Sequence, residues 1–419
     1  MKLTGEEAAM RGGEFGQLRQ WAIEHQIKVG AYLGAQDFVP VAQAHIMADT
    51  ESLGRAGVEW LEGWASLPQR QRQVRVPTIT DPRGTDFAQA ARLKQQPWML
   101  DLERRAIAAF EALGVLMTDT CINYQTIMPP VRGEHVAYGD TGVVIYSNSV
   151  CGARSNFEGG PSALSAGLTG RTPRYGYHLD AHRQATFLVE LSWTPRTLND
   201  WGALGGVVGR LAGDYSQVPA LHGIERVPGP DEMKHFGAAL ASFGSVALFH
   251  MAGITPEAMR LDDVVAAGRS VRTHEVGETD IRALQAHYAK DIGQVDLIVF
   301  SAPQLSLMEM QILASLLDGR SAKIPLLAVT SPQVKPDCDR MGLTARIENA
   351  GGTVLSGMCF YQSYAREMAE ANGWCRLASN SAKLVNILGG YGYRPVLLSM
   401  EECVAAACAG GRLSARNQV

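Results

Sequence analysis

No stretch of this chain approaches eighteen uncharged apolar residues, so no membrane-spanning helix is expected. The opening, Met1-Lys2-Leu3-Thr4-Gly5-Glu6-Glu7, has no apolar segment of the signal-peptide kind. Basic tracts are missing too: a net charge of −4 and a pI near 6.2 argue against a general nucleic-acid binder. Cysteines are few and scattered, seven in 419 residues, and no pair has the Cys-x-x-Cys spacing of zinc or ferredoxin sites. An odd, dispersed set is not a small secreted disulfide framework, and a reducing cytoplasm is the expected compartment. There is no Walker A pattern and no Gly-x-Ser-x-Gly elbow. The glycines from Gly202 to Gly209 do not follow a strand, so a nucleotide-binding fingerprint is not expected there.

What is present suits a globular enzyme of two or three α/β lobes, with 46% apolar and 19% charged residues over 419 positions. The 44 glycines concentrate in the middle of the chain, as suits backbone lying close to a ligand. Thr4 to about Lys28 reads as a helix capped by Thr4 and interrupted at Gly12-Gly13. A second helical unit covers roughly 41–67, a turn-rich loop 77–85, and an amphipathic helix 86–113. Val115-Leu116-Met117 reads as a short strand with Cys121 just past its end. Further on, 185–193 and 246–250 read as strands, with helices at 201–212 and 231–242 between them. In the last third, Leu297-Ile298-Val299-Phe300, Leu326-Leu327-Ala328-Val329 and Thr353-Val354-Leu355 alternate with helical stretches, which predicts a mostly parallel sheet. These features divide the chain into an N-terminal helical segment, 1–75, a central α/β region, 76–275, with the main polar pocket, and a C-terminal α/β lobe, 276–419.

The stretch from Thr118 to Arg174 carries the chemistry. It contains Cys121, then Gly133-Glu134-His135, an apolar run from Gly142 to Tyr146, the segment Asn148 to Asn156 with Cys151, and Glu158-Gly159-Gly160-Pro161-Ser162. So many polar side chains and glycines in so short a span predict loops converging on a pocket. Cys121, Cys151 and Cys359 each follow an apolar stretch read as a strand and sit in a loop among small or polar neighbours, as a metal ligand or reactive thiolate does. Cys338, Cys375, Cys403 and Cys408 lack such company and are read as packing residues. Gly159 to Ser162 is either an anion cradle at a helix start or a tight turn. Arg154 is either a carboxylate clamp or an ion-pair residue. Ser381 and Lys383 either contact an anion or cap a helix, and His250 reads as a core histidine.

Taken together, Gly133-Glu134-His135, Asn148 to Asn156 with Gly159 to Ser162, His250 to Glu257, Asp296 to Glu309 and Asn380 to Lys383 resemble the large, catalytic part of aconitase X. The resemblance runs over most of the chain. It implies an α/β, aconitase-like multi-lobed fold with mostly parallel sheets flanked by helices, without the small swivelling domain, for which nothing after Lys383 leaves room. It further implies an iron–sulfur hydro-lyase acting on a small hydroxy acid, with a separate small subunit carrying the swivelling domain and its serine base. Where the archaeal, mevalonate 5-phosphate type has Gly-Cys-Pro-His, this chain has Ser301-Ala302-Pro303-Gln304; where that type has an apolar residue, it has Cys151. The resemblance is therefore nearer to the bacterial cis-3-hydroxy-L-proline dehydratases. It implies Cys121, Cys151 and Cys359 as cluster ligands, a [2Fe-2S] rather than a [3Fe-4S] or [4Fe-4S] cluster, and hydroxyproline degradation as the role. Substrate contacts are expected from Asn148, Arg154, Ser155, Asn156, Gly160, Ser162, Ser381 and Lys383, with Glu134 and His135 orienting the hydroxyl or supplying its proton. The alternatives are a mevalonate 5-phosphate dehydratase large subunit, or a non-catalytic subunit with structural cysteines.

Overall fold

The computed structural model describes residues 1–266, 268, 270–289 and 293–413. Three parallel sheets follow one another along the chain. The first region contributes β1 (Phe38–Pro40), β2 (Ala44–Ile46), β3 (Thr78–Thr80), β4 (Ala137–Tyr138) and β5 (Arg171–Pro173). β2 lies between β3 and β4 in a parallel sheet, while β1 and β5 form an antiparallel pair. Thr4 caps Gly5–Arg11 in a reciprocal box with Glu7, and Gly16, at φ 92°, separates it from the helix Gln17–Tyr32. The amphipathic stretch is helical only over Pro97–Ala112. Proline drives the residue before it out of the α region and fits the first helical position, so the helix starts there rather than at 86.

The second sheet holds β6 (Phe187–Leu191), β7 (Pro219–His222), β8 (His250–Met251) and β9 (Arg272–Val276), in the order β8-β7-β6-β9. Against it pack the helices Leu198–Ala212 and Pro230–Gly244, and the glycines of the first let the two approach closely. A Cβ at Gly205 would stand 2.2 Å from the Phe236 carbonyl oxygen, and one at Gly209 3.0 Å from that of Leu240. The strand expected from Val246 shrinks to His250–Met251. The Ala247 carbonyl and the Phe249 N–H bond to the side chains of Asn148 and Ser149 instead of to a neighbouring strand.

The third sheet contains β10 (Leu297–Leu305), β11 (Leu326–Thr330), β12 (Thr353–Ser356), β13 (Arg376–Ser379) and β14 (Arg394–Leu397). All pair in parallel, in the order β12-β11-β10-β13-β14. The winding reverses between β10 and β13, and such a switch point opens a crevice at the carboxyl ends of the strands. β10 is buried along its whole length and loses register beyond Phe300, where Ala302 has φ 53°. Among the described residues no helix is long and apolar enough to cross a membrane.

Two expectations for the central stretch are corrected. Val115–Met117 is not a strand: Leu116 makes one isolated parallel bridge with Ile79. The apolar run before Cys151 is the helix Thr141–Tyr146, continued by a π-helical turn, Ser147–Cys151. The Asp140 carboxylate accepts the Val143 N–H at 3.0 Å, and this N-cap starts a helix that is buried all round, which explains its unbroken hydrophobicity. Cys151 therefore ends a helical turn, with Gly152 at φ 71° behind it, while Cys359 follows β12 as expected.

Candidate functional site

Carboxyl ends of the first and third sheets meet. From the first come Asp49 after β2, Asp81 after β3 and Asp140 after β4; from the third come Ser301–Gln304, Cys359 and Asn380–Lys383. Lys383 is one of the side chains that join them: its Nζ donates to Asp140 Oδ1 at 3.1 Å and to Thr141 Oγ1 at 3.3 Å, and lies 5.7 Å from the centre of the Tyr361 ring. Gln362, beside Cys359, donates through one amide nitrogen to Asp81 Oδ2 at 3.2 Å and Asp49 Oδ2 at 3.4 Å. Within the third sheet, Ser381 Oγ donates to the Ala302 carbonyl at 2.5 Å and accepts the Leu384 N–H at 3.1 Å. Ser381 thus caps its helix and locks the switch point.

The charges in this crevice are unequal. Burial on its own would raise Asp140, but the Lys383 ammonium and the Val143 N–H hold it below the usual carboxylate range. Burial likewise works against a charged Lys383, and Asp140, with Cys121, Cys359 and Asp81 behind it, more than offsets it and keeps the lysine above its ordinary value. Burial pushes Asp49 up to about 6. Asp81 is also raised well above the ordinary carboxylate range, by burial and then by the neighbouring Asp140 carboxylate. Asp81 Oδ1, His45 Nδ1 and Asn380 Nδ2 are buried with no hydrogen-bond partner among the described residues. Native interiors pair nearly all such atoms, so unpaired ones gathered at a sheet edge mark a place for a ligand.

Two thiols face this crevice. Cys121 is 6% exposed and Cys359 2%, and each bears on the charge of Lys383. Gln304, fully buried, fastens the two loops together. Its Oε1 accepts the Cys121 N–H at 3.4 Å, its own N–H points at Cys121 Sγ at 3.4 Å, and its Nε2 donates to the carbonyls of Asp119 at 3.1 Å and Met358 at 3.3 Å. Ser301 Oγ lies 3.9 Å from Cys359 Sγ. Among the described residues no three His, Cys, Asp or Glu side chains converge as a single ion requires. An iron–sulfur cluster spreads its thiolates wider than one ion does, and the buried pair with bare polar atoms around it fits one end of such a group. Cys151 is half-buried, and its charge bears on the hydroxyls of Tyr138 and Tyr146.

The other expected residues fall into two sets. A Cβ at Gly160 would come 3.5 Å from the carbonyl oxygen of Met47, the residue after β2. Ser162 lies 3.1 Å from His25 Nε2. Asn148, Ser155 and Asn156 are buried with their side chains engaged by the fold: Asn148 with the backbone of Ser155 and Ala247, Ser155 with Tyr138 and Asn156, Asn156 with Tyr175, Tyr177 and Tyr215. Arg154 pairs with Asp180, whose side chain is 85% exposed, and donates to the His178 carbonyl at 3.2 Å. Glu134 accepts the Val131 N–H at 2.8 Å. His135 Nδ1 lies 2.9 Å from His178 Nδ1, and burial, then His178, lower it to about 4. His45, Asp49, Asp81 and Asp140 went unread in the sequence, and Asn380 was read only as part of the Asn380 to Lys383 motif. No local signal marks Asp81 and Asp140: each closes a short run, Thr78-Ile79-Thr80-Asp81 and Ala137-Tyr138-Gly139-Asp140, whose burial only the fold shows.

Comparison with known proteins follows the same three sheets. Residues 1–181 match the aconitase X first domain, 185–286 the second and 295–409 the third. The chain is 35% identical to the phosphomevalonate dehydratase large subunit of Methanothermobacter thermautotrophicus, over 93% of this chain and 94% of that one. It is 31% identical to the cis-3-hydroxy-L-proline dehydratase of Pseudomonas aeruginosa, over 98% of this chain and 70% of that one. The crystal structure of Thermococcus kodakaraensis aconitase X, holo-form, superposes with a TM-score of 0.86 at 30% identity, covering 97% of this chain and all of that one.

Proposed function

From the premise that this chain belongs to the aconitase X family and is a hydro-lyase, we propose that it is the large subunit of an enzyme that dehydrates cis-3-hydroxy-L-proline to Δ1-pyrroline-2-carboxylate. The observation that supports this substrate is the excess of acid in the crevice. Asp49, Asp81 and Asp140 are buried there, and among the described residues Lys383 is the cation that pairs within the group. A zwitterionic amino acid brings an ammonium for the acids and a carboxylate for Lys383 and the bare Asn380 amide. A phosphate monoester brings further negative charge into a region already short of cations, and burying it unpaired is costly.

Within this reading, Lys383 and Asn380 pin the substrate carboxylate, and Asp140 keeps Lys383 charged and aimed. Pinning fixes the Cα–H bond toward the entrance, where a base on the small subunit takes the proton. The low exposure of Cys121, Cys359 and Asp81 keeps water from the resulting enamine until it tautomerises. Cys121 and Cys359, with Cys151 as third ligand, would hold a [2Fe-2S] cluster, which supplies when bound a Lewis acid for the departing β-hydroxyl.

A second reading, mevalonate 5-phosphate dehydration, is favoured by length. The chain spans 94% of one relative named for that activity but 70% of one named for hydroxyproline. Anaerobic assay of the chain with its small subunit on both compounds, with iron and sulfide analysis, separates them. Pyrroline formation from cis-3-hydroxy-L-proline is the expected result; turnover of mevalonate 5-phosphate alone overturns the substrate and keeps the dehydratase.

A further inference from the structure

Each acid of the crevice can be audited for partners. Asp140 is satisfied, with Lys383 on one oxygen and the Val143 N–H on the other. Asp49 is satisfied too, with the Ser52 N–H on Oδ1 at 2.8 Å and Gln362 on Oδ2. Asp81 is not. Its Oδ2 receives the Gln362 amide, but its Oδ1, fully buried, has no partner among the described residues. The nearest cation-capable group is His45, whose Nε2 is 3.7 Å from Oδ1. That nitrogen already faces the Thr120 carbonyl at 2.9 Å, so its hydrogen is directed there, and burial lowers the imidazole and keeps it neutral. Lys383 gives two of its three donors to Asp140 and Thr141 and makes no hydrogen bond to Asp81 among the described residues, which leaves the third for the substrate carboxylate. A carboxyl oxygen stripped of water and left without a partner is destabilising, and it calls for a donor from outside the chain.

Resting on the reading of this chain as an amino-acid dehydratase, we propose that Asp81 binds the ring ammonium of the substrate and so selects a cyclic α-amino acid over its oxygen analogue. The pyrrolidinium N–H completes Asp81 Oδ1, while the carboxylate two bonds away reaches the Lys383 and Asn380 side of the crevice. Three charges of alternating sign then lie in a row, Asp81, ammonium and carboxylate, ending on Lys383. An analogue with ether oxygen in place of the ring nitrogen presents a lone pair to Asp81 and is rejected. The discrimination needs no change of shape.

Calorimetric binding of L-proline and of tetrahydrofuran-2-carboxylate to the full chain with its small subunit tests this without turnover. The wild type is expected to prefer L-proline by at least about tenfold, and Asp81→Asn to lose on the order of 100-fold in L-proline affinity, the size of removing one partner of a buried charge pair. Binding of the ether acid is expected to hold within about threefold, which also certifies that the variant is folded. Asp81→Glu, which keeps the charge, is expected to retain the preference for L-proline at weaker affinity. Equal L-proline binding by wild type and Asp81→Asn overturns the inference and leaves the proposed substrate standing. Parallel loss of both ligands also overturns it, since Asp81 would then act through the shape of the crevice. If the wild type binds mevalonate 5-phosphate and neither L-proline nor cis-3-hydroxy-L-proline, both the inference and the substrate fall.

Discussion

Replacing Lys234 by methionine tests the buried ion cluster behind the thiol loops. Lys234 and Glu309 are both essentially without exposure; Lys234 also pairs with Asp231 at 3.1 Å and donates to the Gln304 carbonyl at 3.2 Å. Glu309 has two further donors, His235 Nε2 at 2.7 Å and the Ser306 N–H at 2.9 Å. Burial alone would raise Glu309, but Lys234 first, and then His235, bring it from 4.5 to about 2. That distance is worth about 3 kcal/mol. Because the folded value lies below the unfolded one, this stability is complete above pH 4.5 and is lost as pH falls toward 2. Breaking a buried pair by removing one partner independently costs about 3–5 kcal/mol. Since His235 and Ser306 remain on Glu309, the expected cost of Lys234→Met near pH 7 is about 3 kcal/mol.

Urea titration read by hydrogen exchange in peptides from Pro230–Gly244 and Leu307–Leu316 isolates this contact within a chain of several lobes. The acid limb of stability between pH 4.5 and 2 should flatten in the variant, and Lys234→Met with Glu309→Leu should recover most of the loss. A cost below about 1 kcal/mol, or an unchanged acid limb, refutes the argument.

Three further outcomes follow from the geometry. Cys121→Ser and Cys359→Ser should each lose most of the iron and sulfide of the anaerobically purified protein, and Cys375→Ser, at an exposed position, none; equal content in all three removes the proposed ligands. Gly205→Ala drives a Cβ to 2.2 Å from the Phe236 carbonyl and should destabilise by about 3 kcal/mol, read as a lower thermal midpoint; an unchanged midpoint would mean the two helices can part freely. His135, at about 4 against an ordinary 6.5, binds its proton more readily when unfolded, so its contribution is complete above pH 6.5 and lost on falling toward 4. Thermal midpoints of His135→Gln should therefore fall less steeply over that window than those of the wild type.

Long elements were legible because periodicity accumulates over their length. The helices Leu198–Ala212 and Pro230–Gly244, and the β-α-β alternation from Leu297 onward, appear where the pattern put them. Elements of two or three residues were not. β3 and β4 span Thr78–Thr80 and Ala137–Tyr138, too short for an alternation to register, and β3 was hidden in a stretch read as a loop. The run from Thr141 to Tyr146 misled for another reason: a helix buried on every side is as uniformly apolar as a buried strand, and periodicity alone cannot separate the two.

That difference in length governs what could be read of the site. Cysteine is rare enough that Cys121 and Cys359 draw attention wherever they stand, and the fold does bring them to one crevice. An aspartate in a loop is ordinary, and only the partner sheet makes Asp81 and Asp140 unusual, by covering them. The covering comes from far along the chain: Lys383 is 243 residues from Asp140, and Gln362 is 281 from Asp81. Neither acid carries a local sign of burial, because burial is a property of the two sheet edges once joined. The same separation makes the crevice dependent on how the first and third sheets sit together, since Lys383, Gln362 and Gln304 all cross from one to the other. A change that loosens that seam should weaken substrate binding before it unfolds either sheet. Lys383–Asp140 is a buried ion pair across that seam, so substrate affinity should fall when this pair is broken.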